Sequence, residues 1–395
     1  MGRRFWRLWT ARTISRFGDG FFFIAISWLI FARTHSVVPL GAAWAAYLLV
    51  TGLGQSLLGP LPDLWDRRRL MVALDVARGV LLLASLLVLR LGPTSNVSVI
   101  DGLFLLTGLL SLPYASAASA TLPSLLPEDR YRQGNVWLQG GSQAMYFIGP
   151  AAGGFFIARY GAPSALALDA LTFFASAALI SSLRVSPRAH GAERRTSYAA
   201  SLRDGLRTIA RTRVIALLTL LEVTYSAADA AFLVLSVPLV RAVLHGSAAG
   251  VGLLEAAASL GVLVASPVLQ PLARLRPRSF LAGAPLFALA TALIAAFPAL
   301  GWAVGTQVLA GTGSAAFDVE IETSFQRMIP DDLLGRTMML RRSAGTIAAA
   351  LTAILAGVLA HGIGIALTFF AIGAACLLLT AWPTARLWQR LSVPS

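Results

Sequence analysis

Apolar residues run along the chain in long blocks separated by short polar or Gly/Pro-rich breaks. A bilayer core requires about 20 apolar residues per spanning helix, and the blocks have about that length. The pattern predicts twelve transmembrane helices, over residues 10–33, 40–62, 70–91, 98–120, 134–158, 162–183, 214–241, 248–271, 279–298, 300–323, 338–360 and 362–382. Only Ala299 and His361 separate the members of two pairs, so counts of eleven or ten stay open.

The placement of arginine predicts the orientation of these helices. All 32 basic residues are arginines, and loops that stay in the cytoplasm are enriched in basic residues. With the N-terminus inside, 26 arginines fall on the cytoplasmic side and only Arg33, Arg90, Arg159 and Arg241 on the other. We therefore expect both termini in the cytoplasm. The lysine-free, Ala/Leu/Gly-rich composition favours the inner membrane of a bacterium.

Composition excludes several classes of protein. The chain is 57% hydrophobic and only 13% charged, with a mean hydropathy of +0.73, which argues against a soluble enzyme. The net charge of +14 is spread over many loops rather than one face, so no nucleic-acid partner is expected. Cys376 is the only cysteine. No metal-ligand cluster or phosphate-binding loop is recognisable, so we expect no metal and no cofactor.

Internal similarity divides the chain into two halves. The sequence Leu-Pro-Glu-Asp-Arg at 126–130 returns as Ile-Pro-Asp-Asp-Leu at 329–333, a shift of 203, and the loop at 59–67 returns in degenerate form at 270–278, a shift of 211. Residues 184–213 form an arginine-rich stretch, predicted to be a cytoplasmic linker with a surface helix over 198–212. The prediction is an all-α polytopic membrane protein with two pseudo-symmetric six-helix bundles, residues 1–183 and 214–395.

The loop after the second predicted helix carries a recognisable signature. Its matching residues are Gly59, Leu61, Asp63, Arg67 and Arg68 in the pattern G-x-L-A-D-R-x-G-R-R/K, with Leu64 and Asp66 as departures. With the stretches that begin at Leu122, Gly149 and Gln326, these residues make the chain resemble the major facilitator superfamily, above all its bacterial twelve-helix drug and siderophore exporters. The resemblance implies the major facilitator fold, a small-molecule substrate and no enzymatic activity.

Two motifs receive a role from this resemblance. Gly59, Asp63, Arg67 and Arg68 form the group that we call the conformational latch, which in the family holds the two halves together on the cytoplasmic side in one state. The alternative is an ordinary cytoplasmic loop with a turn-forming aspartate. The second motif resembles the core of the antiporter signature and favours export over import. It comprises Gly149, Pro150, Gly153 and Gly154. The alternative is helix packing without directional meaning.

Ionisable residues inside predicted helices are candidates for the transport path and for proton coupling. Each costs about 2.5–3.5 kcal/mol to insert and usually faces a cavity or a partner. The candidates are Asp19 with Arg16 on helix 1, Glu222 and Asp229 on helix 7, and Asp318 and Glu322 on helix 10. A buried carboxylate can bind and release a proton near neutral pH. A structural ion pair is the alternative, for Asp19 with Arg16 and for Asp75 with Arg78.

A cavity for hydrophobic compounds needs apolar and aromatic walls with a few polar groups. The candidates are Phe22, Gln55, Gln139, Gln143, Tyr146 and Tyr225. Helix packing or lipid contact is the alternative for each of them taken singly.

The sequence thus predicts a secondary active transporter that works by alternating access, as a monomer in the lipid bilayer. We expect proton-coupled efflux of small amphipathic or hydrophobic compounds. An uptake symporter and a siderophore or lipid carrier are the alternatives within the transporter class. A membrane-embedded enzyme or a receptor is the alternative from another class. It would need a convergent catalytic set, which the scattered histidines and the lone cysteine do not supply.

Overall fold

The computed structural model describes residues 1–58, 61–91, 97–183, 212–275, 282–329 and 331–390, which are almost entirely helical and contain no strand. Twelve helices of eleven or more residues lie in these ranges. They are α1 (Arg3–Thr34), α2 (Val37–Leu58), α3 (Arg67–Leu91), α4 (Val97–Leu125), α5 (Tyr131–Tyr160), α6 (Ala162–Ser181), α7 (Arg213–Pro238), α8 (Ala248–Leu275), α9 (Gly283–Leu293), α10 (Leu300–Met328), α11 (Asp331–Ile363) and α12 (Ile365–Arg390). A single helical turn, Leu61–Leu64, precedes α3.

Nine helices in the described residues are long and apolar enough to cross a membrane. The other three are α5, α9 and α10. The all-α polytopic fold is confirmed, while the count of twelve crossings stays a prediction. The predicted linker, residues 184–213, and its surface helix lie outside the described residues except for Thr212 and Arg213.

The chain forms two compact units. Unit 1 comprises Met1–His35, Leu49–Ala192 and Gly246–Ala256, and unit 2 comprises Ser36–Leu48, Glu193–His245 and Ala257–Ser395. Residues 36–48 and 246–256 therefore group with the unit opposite to the one that a division at the linker gives them. The bundle boundaries at 183 and 214 stay a prediction.

Each unit has its own apolar core and the same packing scheme. In unit 1, α1 packs against α5 and α6, and α3 packs against α4 and α6. In unit 2, α7 packs against α11 and α12, and α9 packs against α10 and α12. The first core includes Phe5, Leu74 and Leu122, and the second includes Leu218, Phe317 and Phe325. Parallel repeats of one six-helix unit give this correspondence.

Backbone geometry repeats at the same sequence interval. The helices α4 and α10 both have 29 residues and begin 203 residues apart. Gly161 separates α5 from α6 with φ 82°, and Gly364, 203 residues later, separates α11 from α12 with φ 87°. Both glycines adopt the left-handed region that side chains disfavour. The predicted break at His361 is therefore wrong by three residues, because Gly364 supplies the turn.

The shift of 211 seen in one loop also has a structural origin. His35 after α1 and His245 after α7 both have positive φ and lie 210 residues apart, so the second half holds seven extra residues at this point. A π-helical turn, Leu239–Val243, follows α7 in the same stretch.

The helix predicted over 279–298 ends early. In the structure α9 stops at Leu293, and Nε1 of Trp302 donates a hydrogen bond of 2.6 Å to the carbonyl oxygen of Leu293. The indole thus satisfies one of the carbonyls that a helix end leaves without a partner. Apolar composition alone could not locate this stop.

Candidate functional site

A cluster of charged side chains lies in the interior of unit 1. Arg16 precedes Asp19 by one turn of α1, and its Nη1 lies 3.4 Å from Oδ2 of Asp19. From α3, Nη2 of Arg78 lies 2.5 Å from Oδ1 of the same carboxylate. The Asp19 carboxylate therefore accepts from two arginines at once. The predicted pair of Arg16 and Asp19 is present, but Arg78 on another helix makes the shorter contact.

Two more buried carboxylates lie near Arg78. Oδ1 of Asp75 is 3.9 Å from Nη1 of Arg78, and Asp169 on α6 accepts a hydrogen bond of 3.2 Å from Thr172. The Arg78 guanidinium also lies 3.8 Å from the centre of the Phe173 ring, a favourable cation–π contact. We call Arg16, Asp19, Asp75, Arg78 and Asp169 the Asp19 cluster. The sequence offered Asp75 and Arg78 only as a structural ion pair.

A glycine lets α1 approach this cluster. A Cβ atom on Gly18 would overlap Oδ1 of Asp169 and Oγ1 of Thr172. Any larger residue would therefore push α6 away from α1. The close contact with Asp169 on α6 therefore requires a glycine at position 18.

A pocket opens beside the Asp19 cluster between α1, α3 and α4. Seven of its lining residues carry polar groups, namely Arg12, Ser15, Arg16, Asp19, Arg78, Ser111 and Tyr114. Tyr114 is buried, and its hydroxyl is 3.1 Å from that of Ser176. The pocket thus combines charged groups with hydroxyl groups in an otherwise apolar unit.

Unit 2 holds a second buried ion pair. Nη1 of Arg341 on α11 lies 2.5 Å from Oε2 of Glu222 on α7. The guanidinium also lies 5.1 Å from the centre of the Phe325 ring, and only 2% of Arg341 is exposed. Arg341, which the arginine distribution assigns to the cytoplasmic side, is thus buried inside unit 2. The long helix α11 carries it into the packed interior.

The two ion pairs are related by the repeat. Glu222 follows Asp19 by 203 residues, the interval that also separates α4 from α10. Ser314 and Phe317 follow Ser111 and Tyr114 by the same interval. An acid therefore occupies the same position in the first helix of each repeat. Its arginine partner differs, because Arg78 comes from the third helix of one repeat and Arg341 from the fifth helix of the other.

The remaining acidic candidates lie apart from these pairs. Asp229 is seven residues after Glu222 on α7 and is exposed, and Asp318 on α10 is exposed as well. The side chain of Glu322 lies outside the described part of the chain. Asp229 thus presents a carboxylate on the helix face that also bears the half-buried Glu222.

The cavity candidates divide into packed and exposed side chains. Phe22 is 1% exposed and packs against Phe104. Tyr225 stacks on Phe317 with ring centres 4.6 Å apart, and its hydroxyl is 2.9 Å from that of Ser314. Phe22 and Tyr225 thus pack against aromatic neighbours, and their place in a cavity stays a prediction. Gln139, Gln143 and Tyr146 are exposed on α5, and the side chain of Gln55 lies outside the described residues.

The arginines of the latch bind helix carbonyls. Nη1 of Arg67 donates a hydrogen bond of 2.7 Å to the carbonyl oxygen of Ala120 on α4. Arg68 donates to the carbonyl oxygen of Ser181, the last residue of α6, where a cation is favoured by the helix dipole. Gly59 and the side chain of Asp63 lie outside the described residues, so the predicted pairing with Asp63 stays a prediction.

The glycines of the antiporter-like motif provide close packing. Gly149 and Gly153 on α5 lie against the backbone of α1 at residues 17–21, and Pro150 lies against Gly20. Gly154 lies against the backbone of α8 at Ala248 and Gly252, within unit 1. Because a Cβ atom at any of these glycines would meet main-chain atoms, small residues are required there.

Comparison with known proteins now identifies the family. A family model described as transmembrane secretion effector, a group within the major facilitator superfamily, matches residues 2–393. The chain belongs to this family. As a family member it is a multi-pass membrane protein, and its bacterial relatives imply a plasma-membrane location.

Named relatives of this secretion effector homologue are bacterial. YfiS of Bacillus subtilis, an uncharacterized MFS-type transporter, is 25% identical over 389 residues, which cover 94% of this chain and 90% of YfiS. The multidrug efflux pump Tap of Mycobacterium tuberculosis is 26% identical over 222 residues, 53% of this chain and 52% of Tap. An uncharacterized MFS-type transporter of the same species is 34% identical over 131 residues, 32% of this chain and 29% of that protein. The chain thus spans about half the length of Tap and under a third of the length of the other mycobacterial relative.

Solved structures confirm the fold of the secretion effector homologue. A mutant of the nucleoside transporter NupG has a TM-score of 0.77 at 11% identity and covers 97% of this chain and 99% of its own. A bacterial homologue of the human lysosomal transporter Spinster has a TM-score of 0.70 at 12% identity over 98% of this chain and 96% of its own. At these identities the likeness establishes the major facilitator fold alone.

Proposed function

We propose that this secretion effector homologue is a proton-coupled exporter of small amphipathic or hydrophobic compounds. It alternates access between two six-helix bundles, as a monomer with both termini in the cytoplasm. The observation that carries the proposal is the buried Asp19 carboxylate held between Arg16 and Arg78 at the edge of a polar pocket. The efflux pump Tap, similar over about half of the chain, supports the direction of transport.

The Asp19 cluster can act as the proton-dependent switch. With Asp19 ionised, its carboxylate on α1 holds the neighbouring Arg16 and ties Arg78 of α3 to α1. A proton on Asp19 removes the negative charge that holds both guanidinium groups. Arg78 then retains Asp75 and Asp169 as its acidic neighbours, so it can shift within the cluster without becoming an isolated buried charge. Loss of the contact between α1 and α3 would free the two helices to move.

The repeat-related acid in unit 2 adds a second site of the same kind. Protonation of Glu222 would release Arg341, which joins α7 to α11. Asp229 on the same helix face is exposed and therefore accessible to a proton or a polar substrate group. In this scheme the ion pairs of Asp19 and Glu222 hold the protein in one conformation. Protonation of either acid favours the second conformation.

The two family motifs fit the same cycle. The latch arginines bind helix carbonyls, and breaking these bonds would accompany the change of access. The antiporter-like motif gives α5 a surface without protruding side chains, along which the neighbouring helices can slide. It comprises Gly149, Pro150, Gly153 and Gly154. This proposal gives them a role in export rather than packing alone.

Efflux assays on cells test the proposal. Cells that express the chain should export members of a dye and antibiotic panel, and a protonophore should abolish the export. Asp19→Asn should remove it as well, whereas Asp129→Asn, at an exposed acid beside Arg130, should not. Accumulation of a compound would instead establish the uptake symporter, and protonophore-resistant export would contradict proton coupling.

A further inference from the structure

The pocket beside Asp19 contains a third arginine, for which the described residues supply no acidic partner. Arg12 lies one turn before Arg16 on α1 and is only 7% exposed. Its Nη1 atom is buried and has no hydrogen-bond partner among the described residues. The charged and titratable groups closest in influence are Arg16 and Tyr114, neither of which carries negative charge near neutral pH.

This arrangement differs from that of the other arginines in the pocket. Arg16 and Arg78 share the Asp19 carboxylate, and Asp75 and Asp169 stand near Arg78 rather than near Arg12. The pocket lining therefore holds three guanidinium groups and one carboxylate. A buried unpaired charge is costly, so Arg12 is a group that an anionic ligand would stabilise.

The pocket reaches the surface at Arg16, and its free volume of about 10 Å³ is the space of one water molecule, so a carboxylate enters it only as the surrounding side chains move apart. The Arg16 side chain is 38% exposed, so one arginine of the pocket stands at its mouth while Arg12 lies inside. Ser15 lies between them in the sequence and lines the same pocket. An anion that enters past Arg16 would reach two guanidinium groups on one helix, which can both donate hydrogen bonds to it.

We propose that this Arg12 pocket receives a carboxylate group of the transported compound. The inference rests on the proposed function and narrows its substrate class from amphipathic compounds in general to amphipathic organic acids. Arg12 donates to one carboxylate oxygen and Arg16 to the other, beside the acid that takes the proton. Because Arg16 also holds Asp19, an arriving carboxylate competes with Asp19 for that arginine. Substrate arrival and protonation of Asp19 therefore favour each other.

Ligand binding to the purified full-length chain in nanodiscs tests this inference. The probes are 1-naphthylacetate and 1-naphthylacetamide, which share size and ring but differ in charge, and the measurement is isothermal titration calorimetry. The acid should bind about tenfold more tightly than the amide, as expected of a hydrogen bond to a charged group. Arg12→Gln should remove this preference. Arg159→Gln, at an exposed arginine of α5, should keep it.

The stability of the variant separates a ligand-binding arginine from a structural one. Because Arg12 has no acidic partner, Arg12→Gln should leave the Tm of the ligand-free protein unchanged or raise it. A Tm clearly below that of the wild type would mean that Arg12 holds the fold, and would overturn the inference. Equal affinity of the wild type for acid and amide would overturn it too.

Two controls identify the anion that the pocket binds and separate a failure of this inference from a failure of the proposed function. Titration with sodium chloride alone should give no Arg12-dependent heat, and such a heat would assign the pocket to a halide and contradict the proposal. Binding requires no pH gradient. An acid preference without proton-coupled export therefore contradicts only the proposed function, whereas export without an acid preference contradicts only this inference.

Discussion

Asp19 and Glu222 occupy the same position in the two repeats, yet each is held by an arginine from a different helix of its repeat. Arg78 reaches Asp19 from α3, and Arg341 reaches Glu222 from α11, both at 2.5 Å. The same acid thus ties together different pairs of helices, α1 with α3 and α7 with α11. Protonation of the two acids is accordingly expected to loosen different contacts.

Substitutions of Glu222 and of Arg341 should have strongly coupled effects on the free energy of unfolding. Removing one partner of a buried ion pair costs about 3–5 kcal/mol, because the other charge is left without compensation. Arg341→Gln and Glu222→Gln should therefore each lower the stability, and the double variant should lose much less than the sum of the two. Unfolding of the purified protein in detergent gives the coupling energy. Additive losses would show that the contact contributes nothing.

The close approach of α1 to α6 at Gly18 should be intolerant of a methyl group. Gly18→Ala places Cβ onto Asp169 and Thr172, and overpacking of this kind costs about 1–3 kcal/mol. Gly102→Ala is the matched control, because nothing lies within 4 Å of a Cβ at that helical position. Thermal unfolding should show a lower Tm for the first variant alone. Equal Tm values would mean that α6 does not pack against Gly18 in this way.

Substitution of Gly364 by alanine should change the stability in the opposite direction from the same substitution at Gly362, a helical glycine two residues earlier. Gly364→Ala forces a side chain into positive φ, which costs about 1–2 kcal/mol. Gly362→Ala lies at the end of α11 with open space around it and should be neutral or stabilising by about 0.5–1 kcal/mol. Comparison of the two Tm values checks the turn. A stabilising Gly364→Ala would contradict the left-handed conformation.

The sequence predicted the architecture well because hydropathy and charge act over whole helices. Long apolar blocks located the helices, and two loop matches revealed the repeat that Gly161 and Gly364 now display in the backbone. The sequence also indicated the contact between Arg16 and Asp19, because residues three apart lie on the same face of a helix. These signals are local in the chain or summed over many residues.

The partners of the candidate acids could not be predicted. Arg78 meets Asp19 across 59 residues and Arg341 meets Glu222 across 119, and such contacts depend on how helices rotate about their axes. The sequence counted Arg341 on the cytoplasmic side because it lies in the first turn of the helix predicted over 338–360, whereas in the structure α11 begins at Asp331 and the Arg341 side chain is buried. It likewise offered Phe22 and Tyr225 as cavity residues, since apolar character does not separate a core from a cavity wall.

The measurement that tests proton coupling most directly is substrate-induced proton movement in proteoliposomes. A pH-sensitive dye inside vesicles that contain the purified chain should report proton flux when an exported compound is added, in the direction opposite to the compound. Asp19→Asn should bind the compound but move no protons. Transport by the wild type without any proton flux, or undiminished flux through Asp19→Asn, would contradict the central role given to Asp19.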